Sequence, residues 1–277
     1  MTDDKSTYEL INSQPIGIPV FHEIALRLQQ MMSDNSYRIE EVIKLINEDS
    51  ALAATMLKHA NSTYNTGKFH ITTIKDAVVR LGSQHIVNLA FTASIDNTKS
   101  KNTIINSYMK QLWLHSHRVA IISSWFAVEV KQEKLVKDIN ADEVYLAGLL
   151  HDIGKLYILK ALDNLAEEGS IKLNKIDIRK TIDRYGIILG VKSLTYWNIP
   201  PLYINAVKRH EGENWKIGIN DDMIAIIRIA CRLISFTDEN NELTPNSKVF
   251  KNITNELVFL NMDNLDYLCC IVKAVTD

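Results

Sequence analysis

Four positions, scattered over nearly a hundred residues, carry the side chains best able to do chemistry: His115, the adjacent pair His151–Asp152, and His210. Imidazole nitrogens and a carboxylate oxygen together form a ligand set for a borderline or hard divalent ion, with Mn, Fe, Zn and Ni as the candidates. An ion so held lowers the pKa of a bound water and generates a nucleophile, which is the chemistry of a metal-dependent phosphohydrolase. In such an enzyme Asp152 would ligate the ion or act as base, and Lys155 would contact phosphate; Lys155 reads equally well as a solvated charge near a helix end. No G-x-S-x-G and no glycine-rich phosphate loop occurs, so serine-nucleophile and P-loop chemistry lack their usual motifs.

The elements that must position these residues are helical. Leu112, His115, Val119, Ile122 and Phe126 follow spacings of three and four, which puts His115 on the apolar stripe of its helix and turns His117 away from it. Asn140 is suited to cap the next helix, with Glu143 completing a capping-box pattern and Asp142 favourable at the positive helix end. On that helix Val144, Ala147, Leu150 and His151 share a face, and Asp152 lies about 100° further round. Gly148 and Gly154 leave room for close backbone approach. Pro200–Pro201 start a third helix, on which Tyr203, Ala206, Val207 and His210 share a face. A plainer reading stands beside this one. Each histidine serves as a core residue bonded to a carbonyl or as a partner for a helix C-terminal dipole, and Gly154 serves as a helix stop.

Helical periodicity runs through the whole sequence, and no segment alternates long enough to argue for a sheet. The fold class expected is all-α. Further helices are read over roughly 105–130, 141–162, 175–185, 189–197, 201–210 and 223–236, with Phe236–Lys248 as an exposed loop and Gly82 dividing two short helices earlier on. Asp96–Asn102, "DNTKSKN", is the most polar short stretch of the first half. It divides the chain into an N-terminal helical lobe (1–95), a junction (96–104) and a second helical lobe (105–277), the two lobes packed together.

With 31 basic and 33 acidic residues in 277, the net charge of −2 lacks the basic footprint of a nucleic-acid binder. Cys231, Cys269 and Cys270 are odd in number and two are adjacent, a poor disulfide framework that fits a reducing compartment. "MTDDKSTYEL" is not a signal peptide. The most apolar run, "MIAIIRIACRLISF", is interrupted by Arg228 and Arg232 and falls short of membrane-spanning length. These features read as a cytoplasmic protein with no membrane association.

The assembled residues resemble the HDOD family, the regulatory branch of the HD-domain superfamily. The resemblance is carried by "INEDSALAATMLKHANS" and "ITTIKDAVVRLGSQHIVNLAF" in the first half, and by "LWLHSHRVA", "AGLLHDIGKL", "YWNIPPLYINAVKRH" and "IAIIRIACRLISF" in the second. It implies an HD-like second lobe and a bacterial signalling module that works through contacts with other regulatory proteins. It also implies that His115 is the first metal ligand, His151 and Asp152 the name-giving pair, and His210 a further ligand of two-metal members. Two expected ligands are missing: Gly186 stands where a histidine is usual, and Cys231 where the final aspartate is usual. The Gly-Tyr-Pro motif of the cousins that cleave cyclic dinucleotides is absent from "RHEGENWKIGIND". On this reading the protein is a regulatory module with a degraded metal site, no required cofactor and no catalysis; the rival reading is a phosphohydrolase acting on a nucleotide or phosphodiester.

Overall fold

A computed structural model describes residues 4–14, 23–33, 37–61, 71–96, 99–132, 139–212, 221–239, 242–260 and 262–276. The described residues are all-α, with no strand among them. Asn97 and Thr98, within the polar junction read from the sequence, lie outside the described residues.

Two compact units emerge. One comprises α2 (Glu23–Ser33), α3 (Ile39–Asn47), α4 (Ser50–Ala60), α5 (Ile74–Leu81) and α6 (Ser83–Asp96), together with the turn Trp197–Ile199. Its core is apolar, built on Leu28, Leu45, Ile46, Met56, Ile86 and Phe91, all buried. Gly82 separates α5 from α6 with a positive φ of 81°, a backbone conformation that suits glycine.

The other unit contains α1 (Asp4–Ser13) and everything from α7 onward: α7 (Thr103–Gln132), α8 (Ala141–Leu150), α9 (Ile153–Glu167), α10 (Lys175–Tyr196), α11 (Pro201–Arg209), α12 (Asp221–Asp238), α13 (Val249–Asn252), α14 (Thr254–Phe259) and α15 (Leu265–Thr276). Here α1 packs against α9 and α10. The long α7 buries Val119, Ile122, Phe126 and Val130 along one stripe. It packs chiefly against α8 and α12. Small residues set the α7–α8 spacing: a Cβ on Gly148 would lie 2.9 Å from the Ala120 Cα.

Several helix limits differ from the periodicity reading, and each difference concerns the site. The helix read over 141–162 is broken at His151–Asp152, where Asp152 takes φ −107° and ψ 16° before α9 begins. Gly154 therefore does not stop a helix; it opens α9 and brings it against α10. The helices read over 175–185 and 189–197 are one helix, α10, with Gly186 and Gly190 inside it. A mid-helix glycine costs about 1 kcal/mol relative to alanine; at Gly190 the missing Cβ would lie 3.0 Å from Val207 Cγ1 and 3.2 Å from the Gly154 nitrogen. The helix read to Phe236 continues to Asp238. Asn140 caps α8 as expected, its side-chain oxygen accepting from the Asp142 N–H at 2.9 Å.

Candidate metal centre

Four elements of the larger unit deliver side chains to one place: the middle of α7, the α8–α9 turn, the end of α11 and the middle of α12. His151 is buried, and its Nδ1 lies 2.6 Å from the Gly148 carbonyl. A carbonyl only accepts, so Nδ1 carries the proton and Nε2 is left as a lone-pair donor facing the cluster. His210 repeats the arrangement, with Nδ1 2.9 Å from the Val207 carbonyl. Both bonds span three residues at a helix end, so each ring is oriented by its own helix.

The Nε2 atoms meet two different partners. Cys231 Sγ lies 3.7 Å from His115 Nε2 and 3.8 Å from His151 Nε2. Asp152 lies with its Oδ2 3.4 Å from His151 Nε2 and its Oδ1 3.3 Å from His210 Nε2. The donors thus form two sets, His115–His151–Cys231 and His151–Asp152–His210, within each of which all donor atoms lie within 4.8 Å of one another. His151 belongs to both. His210 Nε2 is buried with Asp152 Oδ1 and Glu211 Oε1 each 3.3 Å away, neither aligned as a regular hydrogen bond, so nitrogen and carboxylates converge where a cation could lie. The residues present fit a divalent ion.

A positive charge of the protein's own already stands at the second set. Lys155 Nζ lies 2.8 Å from Asp152 Oδ1 and 3.0 Å from Glu211 Oε1. Gly186 makes space for it: a Cβ there would meet Lys155 Cγ at 3.2 Å. Of the positions singled out in the sequence, His115, His151, Asp152, His210, Lys155 and Cys231 are therefore gathered in one cluster, and Gly186 contributes only room.

Three further residues complete the cluster. Asp238 accepts from His115 Nδ1 at 3.2 Å and is itself gripped by Arg118 Nη1 at 2.8 Å. A carboxylate behind a ligating imidazole fixes the ring and raises its basicity. Glu211 lies 3.3 Å from His210 Nε2. Arg228, 1% exposed, bonds through Nε to Glu256 at 2.6 Å and through its terminal nitrogens to the carbonyls of Arg209, His210, Glu211 and Gly212 at 2.7–3.2 Å. It holds the end of α11, and with it His210, in place. Asp238 was detectable in the sequence, because it lies seven residues after Cys231 on the same helical face; Arg228 carried no such signal.

The electrostatics are those of a site in which protons stand in for an ion. Burial disfavours charge on His115, but Asp238 and Cys231 reverse this and raise its pKa to about 10. Burial likewise opposes charge on His210, and Asp152 and Glu211 bring it up to about 10. His151 is raised in the same way, burial being outweighed by Asp152 and Cys231. The bond from His210 and the nearby Lys155 hold Glu211 down to about 2 despite partial burial. Burial would raise Asp152 and Cys231; the imidazoles, and for Asp152 also Lys155, hold both well below their usual ranges. Above the cluster opens a cleft of about 950 Å³, reaching His115, Asp152, Lys155 and Asp238 and walled in part by Lys175 and Arg179.

The sequence profile of the HDOD domain matches residues 18–213. This chain belongs to the HDOD domain family. Solved structures agree at the level of fold. An HDOD domain protein of unknown function from Geobacter sulfurreducens superposes with a TM-score of 0.63 at 21% identity, covering 99% of both chains. A Shewanella amazonensis protein whose name suggests a metal-dependent phosphohydrolase gives 0.73 at 20% identity, over 99% of this chain and 98% of that one. A Marinobacter aquaeolei protein whose name suggests signal transduction gives 0.58 at 17% identity, over 98% and 64%. An uncharacterized protein of Treponema pallidum is 22% identical over 231 residues, 80% of this HDOD chain, which spans only 43% of that relative's length. No described helix is long and apolar enough to cross a membrane.

Proposed function

We propose that this HDOD protein is a cytoplasmic bacterial regulator that acts through contacts with signalling or regulatory proteins, and that its histidine cluster does not run two-metal hydrolysis. The observation that carries the second half is the place of Lys155, whose ammonium sits on Asp152 and Glu211 where another cation would need to lie. Two divalent ions would also have to share His151, and one Nε2 lone pair serves one ion. With Gly186 offering no ligand, the cluster has donors for a single ion. Family membership supports the regulatory half. The acidic balance of the chain, −2 overall, argues against nucleic acid as the direct partner.

The rival reading is a phosphohydrolase on a nucleotide or phosphodiester, and the cleft favours it: its wall presents Lys155, Lys175 and Arg179 beside the cluster. There a bound ion would supply an activated water, His115 and His151 would hold it, and Lys155 would meet a phosphate oxygen.

Hydrolysis assays of the purified protein, with nucleotide and model phosphodiester substrates and each of Mn, Fe, Zn and Ni, separate the readings. The regulatory reading expects no turnover that disappears in His151→Ala. Metal-dependent turnover lost in that variant, with the fold kept, would establish the hydrolase instead.

A further inference from the structure

Cys231 is the feature that neither reading uses. It lies on α12 with its sulfur facing two imidazoles from two other elements, each turned toward it by an independent bond: His115 through Asp238, His151 through the Gly148 carbonyl. A small apolar core residue would not need two oriented Nε2 atoms aimed at it.

The separations are informative. In tetrahedral zinc sites Zn–N is about 2.0–2.1 Å and Zn–S about 2.3 Å, which places a nitrogen and a sulfur on the same ion about 3.6 Å apart. The two N···S separations here are 3.7 and 3.8 Å. Those values are within the reach of hydrogen bonds to the larger sulfur atom, and they equally suit an ion bonded to all three atoms. The chemistry of the set agrees. Two imidazoles and a thiolate favour a borderline or soft ion, whereas carboxylate-rich sets favour manganese or magnesium.

The second set points away from itself. Asp152 is engaged by Lys155, and a divalent ion placed among His151, Asp152 and His210 would face that ammonium at close range. The set containing Cys231 has no lysine or arginine bonded to its donor atoms among the described residues; Arg118 reaches it only through Asp238.

We infer that His115, His151 and Cys231 form a mononuclear, thiolate-ligated site for a zinc-class ion, selective against hard divalent ions. The ion would tie α7, the α8–α9 turn and α12 to one another at a single point. The inference concerns which ion is held and by which atoms, so it can fail while the regulatory reading stands, and the reverse.

The test uses the full chain stripped of metal by chelation and reloaded with Co(II) as a spectroscopic probe, alongside elemental analysis after Zn(II) reloading. Expected are one zinc per chain, a tetrahedral cobalt spectrum with a thiolate-to-cobalt charge-transfer band, and displacement of cobalt by zinc but not by an excess of manganese. The Cys269→Ser/Cys270→Ser double variant should keep the band, and Cys231→Ser should lose it. The same change should weaken zinc by more than the ~10–100-fold that loss of an outer-shell partner costs. His210→Ala, which removes a member of the other set only, should retain both band and stoichiometry. Two ions per chain, a band surviving Cys231→Ser, equal affinity for manganese, or no bound zinc in folded wild-type protein would each overturn the inference. If Cys231→Ser fails to fold, the wild-type band with its persistence in His210→Ala and in the double variant still decides the case.

Discussion

Gly154 and Gly186 meet backbone to backbone: a Cβ on Gly154 would collide with the Gly186 carbonyl and lie 2.7 Å from the Gly190 Cα. The first turn of α9, which begins immediately after Asp152, is thereby seated on α10. A residue of the histidine–aspartate turn and the position lacking the family's expected ligand are thus parts of one contact.

The two glycines should respond differently to alanine. In Gly154→Ala the new methyl strikes main-chain atoms that cannot yield, so the loss should reach or exceed the upper end of the ~1–3 kcal/mol typical of overpacking. In Gly186→Ala the methyl meets only the flexible stem of Lys155 at 3.2 Å, and the helix gains about 0.5–1 kcal/mol from losing a glycine. The second variant should therefore be neutral or slightly stabilised. Paired urea denaturation curves measure both; a Gly154→Ala protein as stable as wild type would mean that the helices are further apart.

Arg228 and Glu256 form a buried ion pair, 1% and 2% exposed on their side chains. Arg228→Met leaves the carboxylate with only the more distant Arg232 at 3.6 Å and removes the Arg228 donor from the carbonyls of Arg209, His210 and Glu211, and should cost about 3–5 kcal/mol. Replacing both residues with apolar ones should recover part of that loss, because no unpaired charge then remains. Chemical denaturation of the two singles and the double reads the coupling, and additive losses would show that the pair is not acting as one.

Asp238→Asn keeps a hydrogen-bond acceptor near His115 but removes the charge behind the ring. Zinc affinity should fall about 10–100-fold, with little change in stability because Asp238 is on the surface side of the cluster. Competition with a chromophoric chelator gives the constant, and an unchanged value would reduce Asp238 to a partner of Arg118 alone.

The pH dependence should change sign with metal. His115, His151 and His210 have folded pKa values raised above the unfolded 6.5, so their contribution is complete below pH 6.5 and fades as pH climbs, toward about 10 for His115 and His210. Cys231, depressed in the fold, works the other way below its unfolded value of 9, but it is one group against three. Asp152, Glu211 and Asp238 are lowered, and add nothing further to the slope above about pH 5. Metal-free protein should therefore lose stability between pH 6.5 and 9. With zinc present the ion must displace those protons, so its contribution should grow over the same interval. Thermal melts across that range, with chelator and with zinc, compare the two slopes.

Much of this was legible in the sequence, and the reason is periodicity. His115, His151 and His210 each interrupt an apolar stripe, and a stripe can be counted without coordinates. The break at His151–Asp152 was not legible, because an apolar run continues through it and only the α9–α10 contact requires the turn. Lys155 was read as a solvated or phosphate-binding charge; the space that lets it fold back over Asp152 is made by Gly186, thirty-one positions away in the chain. Arg228 was read only as an interruption in an apolar helix. Its partners, four carbonyls at the end of α11 and a carboxylate on α14, have no sequence signature, since carbonyls belong to every residue and Glu256 resembles any surface glutamate until it is buried.

The Arg228 knot also sets an order in time. Glu256 is translated after every donor named at the cluster, and until it arrives Arg228 lacks the carboxylate that neutralises it in the core. On the ribosome the His115–His151 region can collapse early, since α7, α8 and α9 adjoin one another in both sequence and space. The ion pair behind the end of α11 cannot close until α14 has emerged and docked. The last group to reach the knot behind His210 thus comes from a helix that contributes no donor atom to the cluster.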